Sequence, residues 1–363
     1  MQTTVHQSFP PAESLMRRVL RDGAPIAGEY PLVFGEGFSG RMVTAEEETS
    51  VGSELRSACA ILVRDLVIRE VELRVGFIGS VVTHPDHRKK GWCRRLLERA
   101  EAELRDEGCA FSMLWAEDPR YYEPQGYRSV GTELNYLVDP CLSAVLPSLQ
   151  RVRVGAPADF EALYHLYCEK PERVARTLDE MRTLLAIPEM ELLVREDAAG
   201  EVVAYSCVGR GEDFASVIHE WAGSGEDVLA TIQAHIQRRL ESGDKDPLVI
   251  MVPAGQGLDA FFDSVGAPHI TGVLGLAKLL DSSVLLPAIA SLLPDTVEAE
   301  LSPDASLVLS APRGEIALPE DQLLTTFLEP KGARRQVEAL EEALGLPLPI
   351  LPLRPFVWGL DSI

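Results

Sequence analysis

A strand, a basic turn and an amphipathic helix follow one another directly within residues 79–107. Alternating apolar side chains predict a strand that runs up to Val82, and apolar residues three and four positions apart predict a helix over Gly91–Glu107. The connection between them carries three successive basic residues, Arg88–Lys90. This order restricts the chain to a fold that mixes helices and sheet, with the start of a helix beside the end of a strand.

The residues around this segment extend the same mixed pattern over positions 1–148. A helix is predicted at Pro11–Arg21, and Gly108 is suited to end the helix that follows the basic turn. A tight connection at Arg64–Asp65 separates two apolar runs and predicts an antiparallel pair. Strands are expected at Arg41–Ala45, Arg56–Val63, Leu66–Val82, Ala110–Trp115 and Ser129–Val138, the last two of which close the domain.

The pattern begins again near residue 150, and the composition changes near Ser282. Residues 149–281 repeat a strand, a helix, a hairpin around Ala199–Gly200, a strand, a long helix and a further strand. Residues 282–363 contain short strands, two amphipathic helices and a Pro-rich tail that is expected to be extended. We therefore predict an α+β protein with two tandem mixed-sheet domains, 1–148 and 149–281, followed by a small α+β domain, 282–363.

The charge and the cysteines exclude several classes of function. A formal net charge of -22 opposes binding to nucleic acid or to an anionic membrane surface, so cationic small molecules or basic protein segments are better-matched partners. The six cysteines lack the spacing of a disulfide framework or a zinc site, and no metal is expected. No signal-peptide pattern and no long apolar span is present, which predicts a cytoplasmic protein.

The basic turn is suited to bind a pyrophosphate. The first backbone N–H groups of a helix lack intrahelical acceptors and carry the positive end of the helix dipole, so they can bind phosphate oxygens. Positive side chains at a helix start are otherwise unfavourable, which indicates a bound anion, and Gly91 lets the backbone approach it closely. The alternative is a solvated basic loop ahead of an ordinary helix.

The same residues resemble the coenzyme A signature of the GNAT acetyltransferase superfamily, R-x-x-G-x-G/A after a strand. Arg88–Cys93 matches it except that Cys93 occupies the last position, and Tyr122–Tyr127 matches a second motif, Y-x-x-x-G-F/Y. The resemblance implies a GNAT-like mixed sheet that binds acetyl-CoA. It also implies that Tyr122 is the general acid that protonates the departing thiolate. The implied binding residues are Val81, Val82, Arg88, Lys89, Lys90, Gly91, Trp92 and Cys93.

This resemblance implies an N-acetyltransferase that acts on a primary amine. An alkylamine with a pKa near ~10 must lose a proton before it can attack the thioester, so a base is needed. Backbone N–H groups near Val82 would bind the oxyanion. The expected acceptor is a cationic small molecule, whose identity the sequence does not specify. The alternatives are a protein lysine acetyltransferase and a non-catalytic acyl-CoA sensor or assembly protein.

The duplicated domain and the small third domain resemble the enhanced intracellular survival family of aminoglycoside and lysine acetyltransferases over most of the chain. That resemblance implies a sterol-carrier-like third domain, a homo-oligomer, and the carboxylate of Ile363 as the catalytic base. A final β-strand packed on the third domain is the alternative for the tail, and Glu117 and Glu36 are the other candidate bases. The second domain has Glu226 and Asp227 in place of the basic cluster, so we predict that it does not bind coenzyme A.

One further motif is set aside. Gly35–Gly40 matches the dinucleotide fingerprint G-x-G-x-x-G, but the following residues alternate like a strand instead of opening a helix. We therefore predict no dinucleotide site. His84 and His87 are ascribed to the polarity of the turn that contains them.

Overall fold

The computed structural model describes residues 2–35, 37–50, 52–69, 71–116, 118–328 and 333–363. The chain divides into two compact units. Unit 1 comprises Met1–Gly131, Val273–Pro355 and Ile363, and unit 2 comprises Thr132–Gly272 and Phe356–Ser362. The division into three domains at residues 148 and 281 stays a prediction.

Helices and strands alternate along the whole chain. The first part contains β1 (Gln2–His6), α1 (Pro10–Leu20), α2 (Pro31–Phe34), β2 (Arg41–Thr49), β3 (Gly52–Ile68), β4 (Val71–Thr83), α3 (Trp92–Asp106), β5 (Phe111–Leu114) and β6 (Arg128–Val138). The middle part contains β7 (Val152–Val154), α4 (Phe160–Cys168), β8 (Glu172–Val174), α5 (Leu178–Leu185), β9 (Glu191–Glu196), β10 (Val202–Val208), β11 (Val217–Gly223), α6 (Gly225–Glu241), β12 (Leu248–Pro253), α7 (Leu258–Ser264) and β13 (His269–Leu279). The last part contains α8 (Ser282–Leu292), β14 (Glu298–Leu301), β15 (Leu307–Ala311), β16 (Gly314–Leu318), α9 (Leu323–Phe327) and α10 (Ala333–Leu344).

Unit 1 is built on a mixed sheet with the strand order β1–β2–β3–β4–β5–β13. β1 to β4 are antiparallel neighbours, β5 is parallel to β4, and β13 is antiparallel to β5. The predicted helix α3 connects β4 to β5 and buries Leu96, Leu97 and Leu104. It ends before Gly108, whose φ of 77° confirms the predicted C-terminal cap. The mixed α+β fold class is thereby confirmed.

The predicted tight connection at Arg64–Asp65 is wrong. β3 continues through both residues to Ile68, and Asp65 pairs with Arg74 on β4. The chain reverses near Arg69, which has a positive φ of 60°. Two charged residues between apolar runs suggested a turn, but opposite charges facing each other across antiparallel strands are also a stable cross-strand pair.

The antiparallel partner of β5 comes from a distant part of the chain. The sequence predicts that Ser129–Val138 closes the first sheet, whereas the strand beside β5 in unit 1 is β13, with Leu276 opposite Leu114. Within unit 2, β6 pairs with β12. Alternation of apolar residues predicts that a segment is a strand but not which strand it joins, so this pairing was not accessible from the sequence.

Residues 282–355 of unit 1 contain the predicted short strands and helices. β14, β15 and β16 form an antiparallel sheet. The amphipathic helix α10 packs against α9 and β16 and buries Val337, Leu340 and Leu344. The chain from Pro347 to Trp358 has no helix or strand, as the proline spacing predicts.

Unit 2 has its own mixed sheet, with the order β6–β12–β11–β10–β9–β7. β9, β10 and β11 are antiparallel, and α6 leads to β12, which is parallel to β11. The succession of antiparallel strands, a helix and a parallel strand is the one found from β2 to β5 in unit 1. Interpretation of this segment as a diverged second copy stays a prediction.

The tail residues Phe356–Ser362 are held in unit 2 by buried charges. Asp361 accepts hydrogen bonds from Arg176 Nε at 2.8 Å and from Tyr167 at 2.9 Å, and Arg176 also pairs with Glu220 at 2.6 Å. The Lys170 ammonium lies 3.3 Å from the centre of the Trp358 ring. Buried charges of this kind are tolerated only with partners, so the tail is an integral part of unit 2.

No helix among the described residues has the length and apolar character needed to cross a bilayer. No group of three metal-ligating side chains converges in the part of the chain that the structure describes.

Candidate active site

β4 loses its parallel partner β5 where the predicted binding valines lie, although it stays paired with β3. Its parallel pairing with β5 ends at Ile78, although the strand itself continues to Thr83. Against β3, Ser80 and Val81 together stand opposite Cys59, which is a β-bulge, and Ser80 has a positive φ of 49°. β5 ends at Leu114 and contributes no partner to β4 beyond Ile78, and we call this region the gap between β4 and β5.

The turn between β4 and α3 leaves the start of the helix open. Gly91 is the N-cap residue, and its φ of 81° is a left-handed conformation that favours glycine. It supplies no side-chain cap, and a Cβ at this position would meet nothing within 4 Å. The first turn of α3 contains no acidic residue. The backbone N–H groups at this helix start therefore have no side-chain cap.

Three exposed cations surround this helix start: Arg88, Lys89 and Lys90. The Nε of Arg88 lies 3.5 Å from the Thr83 carbonyl oxygen, and the Nζ of Lys90 donates to the Asp86 carbonyl oxygen at 3.1 Å. Both partners are neutral, and no carboxylate among the described residues forms an ion pair with any of the three cations. The electrostatic environment therefore favours an anion.

A groove of about 540 Å³ runs between the gap in β4 and the start of α3. Such a volume is within the usual range for small-molecule sites. The predicted residues that line it are Val81, Val82, Arg88, Lys89, Gly91, Trp92, Cys93 and Tyr122. Lys90 is not part of the lining. The lining also includes residues that were not predicted to bind coenzyme A: Val19 and Leu20 of α1, Thr83, His87 and Tyr121.

His87 lines the cationic end of this groove. Loss of hydration, together with the charges of Arg56 and Lys90, lowers the pKa of His87 from its ordinary value. The imidazole is therefore neutral at pH 7. Its neighbour His84 accepts a hydrogen bond from the Asp86 backbone N–H at 3.3 Å and so caps the turn, as predicted from turn polarity.

Tyr122 projects from two short 3₁₀ turns that follow β5. The Asp118 carboxylate accepts from the Arg120 backbone N–H at 3.1 Å and starts the first of these turns. The Tyr122 ring packs edge to face against Tyr121 and Tyr127, with centroid distances of 5.0 and 5.8 Å. Burial raises the pKa of Tyr122 to about 12, so the phenol keeps its proton at neutral pH and can act as a donor.

Cys93 contributes its thiol to the wall of the groove. Burial raises the pKa of the Cys93 thiol, and a hydrogen bond with Tyr121 opposes this shift only in part. The thiol is therefore protonated at neutral pH, and a protonated thiol is a poor nucleophile. This environment favours the interpretation of Cys93 as a packing residue.

Ile363 lies against β4 within unit 1. The main-chain carbonyl of Ile363 occupies the position that a Cβ on Gly79 would take. Gly76 contacts Leu104 of α3, so strand alternation puts Gly79 and Ile363 on the opposite face of β4. The other two candidate bases, Glu36 and Glu117, lie outside the described residues.

The polar cluster of Glu101, Tyr127 and Lys278 was not predicted from the sequence. The Glu101 carboxylate, 5% exposed, accepts from the Tyr127 hydroxyl at 3.0 Å and pairs with Lys278 Nζ at 2.5 Å. The signal in the sequence was a carboxylate on the apolar face of α3, between Leu97 and Leu104. Its partner Lys278 lies on β13, whose pairing with β5 the sequence did not reveal. The cluster supports the Tyr127 ring on which Tyr122 packs.

Comparison with known proteins matches part of the chain to the family that its motifs resemble. Residues 32–130 match the family model of the acetyltransferase (GNAT) domain. A search of curated proteins found no match to the sequence.

Three solved structures with the same fold illustrate the likeness. A GCN5-related N-acetyltransferase from Anabaena variabilis ATCC 29413 has a TM-score of 0.70 at 13% identity, and a probable N-acyltransferase from Enterococcus faecalis V583 has 0.69 at 13%; both alignments cover 100% of each chain. Eis1 from Mycobacterium abscessus has a TM-score of 0.57 at 17% identity, covering 87% of this chain and 85% of its own. At such identities the likeness concerns the fold. The chain therefore contains a segment, residues 32–130, that matches the acetyltransferase (GNAT) domain, and its fold is like that of solved GNAT-type N-acetyltransferases.

Proposed function

We propose that this protein transfers the acetyl group of acetyl-CoA to the primary amine of a cationic small molecule. The observation that carries the proposal is that one groove is lined both by the open, cationic start of α3 and by the protonated phenol of Tyr122. The first feature suits a pyrophosphate and the second suits a leaving thiolate. GNAT acetyltransferases use acetyl-CoA, and both features belong to the family's motifs.

The binding part of the groove follows from charge and backbone geometry. The backbone N–H groups that follow Gly91 would accept phosphate oxygens, and the Arg88 and Lys89 side chains would balance their charge. Beyond Ile78 the β4 main chain near Val81 has no partner from β5 and would hydrogen-bond the amide groups of an extended arm, whereas the Val82 carbonyl oxygen already accepts from the Ser57 hydroxyl at 2.6 Å. Lys90 and Trp92 contribute less directly, since Trp92 is 5% exposed and packs in the core.

The proposed reaction needs a base, an oxyanion site and an acid. The Ile363 carboxylate takes a proton from the ammonium, and the neutral amine nitrogen then attacks the thioester carbonyl carbon. Backbone N–H near Val82 stabilises the oxyanion. When the carbon–sulfur bond breaks, the Tyr122 hydroxyl donates its proton to the sulfur. The Tyr122 phenolate then takes the second proton of the nitrogen to give the amide, and the Ile363 carboxyl group releases the first proton to solvent.

The overall charge supports a cationic acceptor. A net charge of -22 attracts polyamines and other polycations at long range. A lysine side chain of a protein offers the same ammonium group, so a protein acceptor is the second candidate. A sensor without catalysis is the third, and it is disfavoured because binding alone does not require the Tyr122 phenol. The cytoplasmic location and the homo-oligomer stay predictions.

The proposal is tested by measuring acetyl-CoA-dependent thiol release with polyamines, aminoglycosides, arylamines and lysine peptides, with a no-amine control. We expect turnover with one or more small cationic amines and none without amine. Turnover with lysine peptides alone would move the assignment to a protein substrate. Acetyl-CoA binding in a calorimeter with silence across the whole panel would favour the sensor.

A further inference from the structure

Gly79 has no backbone reason to be a glycine. It lies inside β4, and its φ is outside the left-handed range that favours glycine. Glycine inside a strand costs stability relative to alanine because it loses more conformational entropy on folding. A glycine in such a position commonly marks the close approach of another group. Another group is therefore expected to lie close to Gly79.

The group that approaches Gly79 is the end of Ile363. A Cβ built on Gly79 would overlap the main-chain carbonyl carbon and oxygen of Ile363, and it would lie only 2.8 Å from the Ile363 Cγ1. Non-bonded carbon atoms pack at roughly 3.5–4.0 Å. Even a methyl group at Gly79 would therefore displace Ile363. Both residues belong to unit 1.

The position of Gly79 along β4 gives this contact a chemical meaning. Gly79 directly precedes the bulge at Ser80 and Val81, and Val81 and Val82 line the groove. At about 3.3 Å per residue, the seat of Ile363 is roughly 7–10 Å of strand from these two valines. A carboxylate fixed at Gly79 is thereby fixed relative to the gap between β4 and β5.

We infer that Gly79 is a positioning residue, whose missing side chain seats the Ile363 carboxylate beside the bulge of β4 so that it can take the proton of the amine. This inference rests on the proposed function, in which that carboxylate is the base. Gly79 itself contacts neither the amine nor the thioester and acts through Ile363. A displacement of about 1 Å in such a group can lower the rate about 10²-fold.

The activity test is a double-mutant cycle of Gly79→Ala and deletion of Ile363 in the full chain. Deletion should lower kcat roughly 10²-fold or more, and Gly79→Ala alone should lower it about 10- to 100-fold with little change in the KM for acetyl-CoA. In the chain that lacks Ile363, Gly79→Ala should lower kcat no further. Addition of one glycine after Ile363 keeps the side chain but moves the carboxylate, and should resemble the deletion.

A second double-mutant cycle tests the contact through the melting temperature, Tm, instead of activity. In the full chain, Gly79→Ala should lower Tm because the methyl group overlaps Ile363. Once Ile363 is deleted, the same substitution should leave Tm unchanged or raise it by about 1–3 °C, since alanine is the better strand residue at an ordinary φ. Gly76→Ala is the matched control, because its methyl group would meet the Leu104 side chain on the other face of β4. Its effects should be the same with and without Ile363.

The possible outcomes distinguish the role inferred for Gly79 from the proposed function of the protein. Equal losses from Gly79→Ala in both backgrounds, in kcat and in Tm, would overturn the inference and leave the proposed function standing. If the effect of Gly79→Ala on Tm depended on Ile363 but its effect on kcat did not, the contact would be only structural and the positioning role would be overturned. Full activity after deletion of Ile363 would remove the base role on which the inference rests, while turnover with an amine would still support the transferase.

Discussion

The two long helices that follow the central strands of units 1 and 2 begin in opposite ways. α3 starts at Gly91, which offers no cap, and three cations precede it. α6 starts after Ser224, whose hydroxyl accepts from the Asp227 backbone N–H at 3.3 Å and donates to the Asp227 carboxylate at 2.7 Å. Glu226 and Asp227 occupy its first turn. One helix start therefore needs an external anion, and the other supplies its own acceptors.

The difference between the two helix starts shows that side chains decide whether a helix start can bind an anion. Both helices connect two parallel strands, so the backbone alone offers an anion site in each unit. At α6 the Ser224 hydroxyl satisfies one of the N–H groups and the two carboxylates repel phosphate, whereas α3 has no side-chain cap and no acidic residue in its first turn. A similar backbone arrangement can thus exist with or without an anion site, and substitutions at either helix start test this.

The largest effect is expected from Tyr122→Phe. In unit 2 the segment after β12 contains α7, which carries Phe261 and Phe262 but no tyrosine, and the substitution makes the segment after β5 similar to it. Loss of the proton donor should lower kcat roughly 10²- to 10⁴-fold while acetyl-CoA still binds. Single-turnover thiol release and calorimetric binding measure the two effects. Tyr121→Phe is the control, since its neighbouring ring keeps the packing. Equal losses in both variants would argue against the acid role of Tyr122.

A smaller effect is expected when the cations at α3 are removed. Arg88→Ala with Lys89→Ala should weaken acetyl-CoA binding about 10- to 100-fold, because a hydrogen bond to a charged group contributes about 1.5–3 kcal/mol. The dependence of affinity on salt should also become shallower. Lys90→Ala, which removes a side chain outside the groove lining, should have the weaker effect. An unchanged dissociation constant for the double variant would show that the pyrophosphate binds elsewhere.

The smallest effect is expected at α6. Ser224→Ala removes the N-cap and should lower the free energy of unfolding by about 1 kcal/mol, as measured by urea denaturation, with no change in turnover. Ser224→Thr, which keeps the hydroxyl, should restore most of the loss. If Ser224→Ala weakened acetyl-CoA binding, the prediction that the second helix start does not bind coenzyme A would be wrong.

Much of the site was predictable because it lies in short segments. Arg88–Cys93 and Tyr122–Tyr127 are each contiguous, and the chemistry of a helix start or a phenol can be recognised without knowing the rest of the chain. The Glu101–Lys278 pair was not predictable, since 177 positions separate its members and the pairing of β13 with β5 brings them together. Arg64 and Asp65 were misread for a related reason, because only their cross-strand partners distinguish a strand from a turn.

The mixed α+β character, the positions of most helices and strands, and the anion-binding character of the turn before α3 could be read from the sequence. These features depend on local periodicity, capping and charge, which act over a few residues, whereas the candidate acid Tyr122 came from the resemblance of its motif to a known family. The strand beside β5, the groove between the β4 gap and the start of α3, and the approach of Ile363 to Gly79 required the folded structure. Strand partners and close approaches depend on distant residues meeting in space, and a linear pattern does not contain that information.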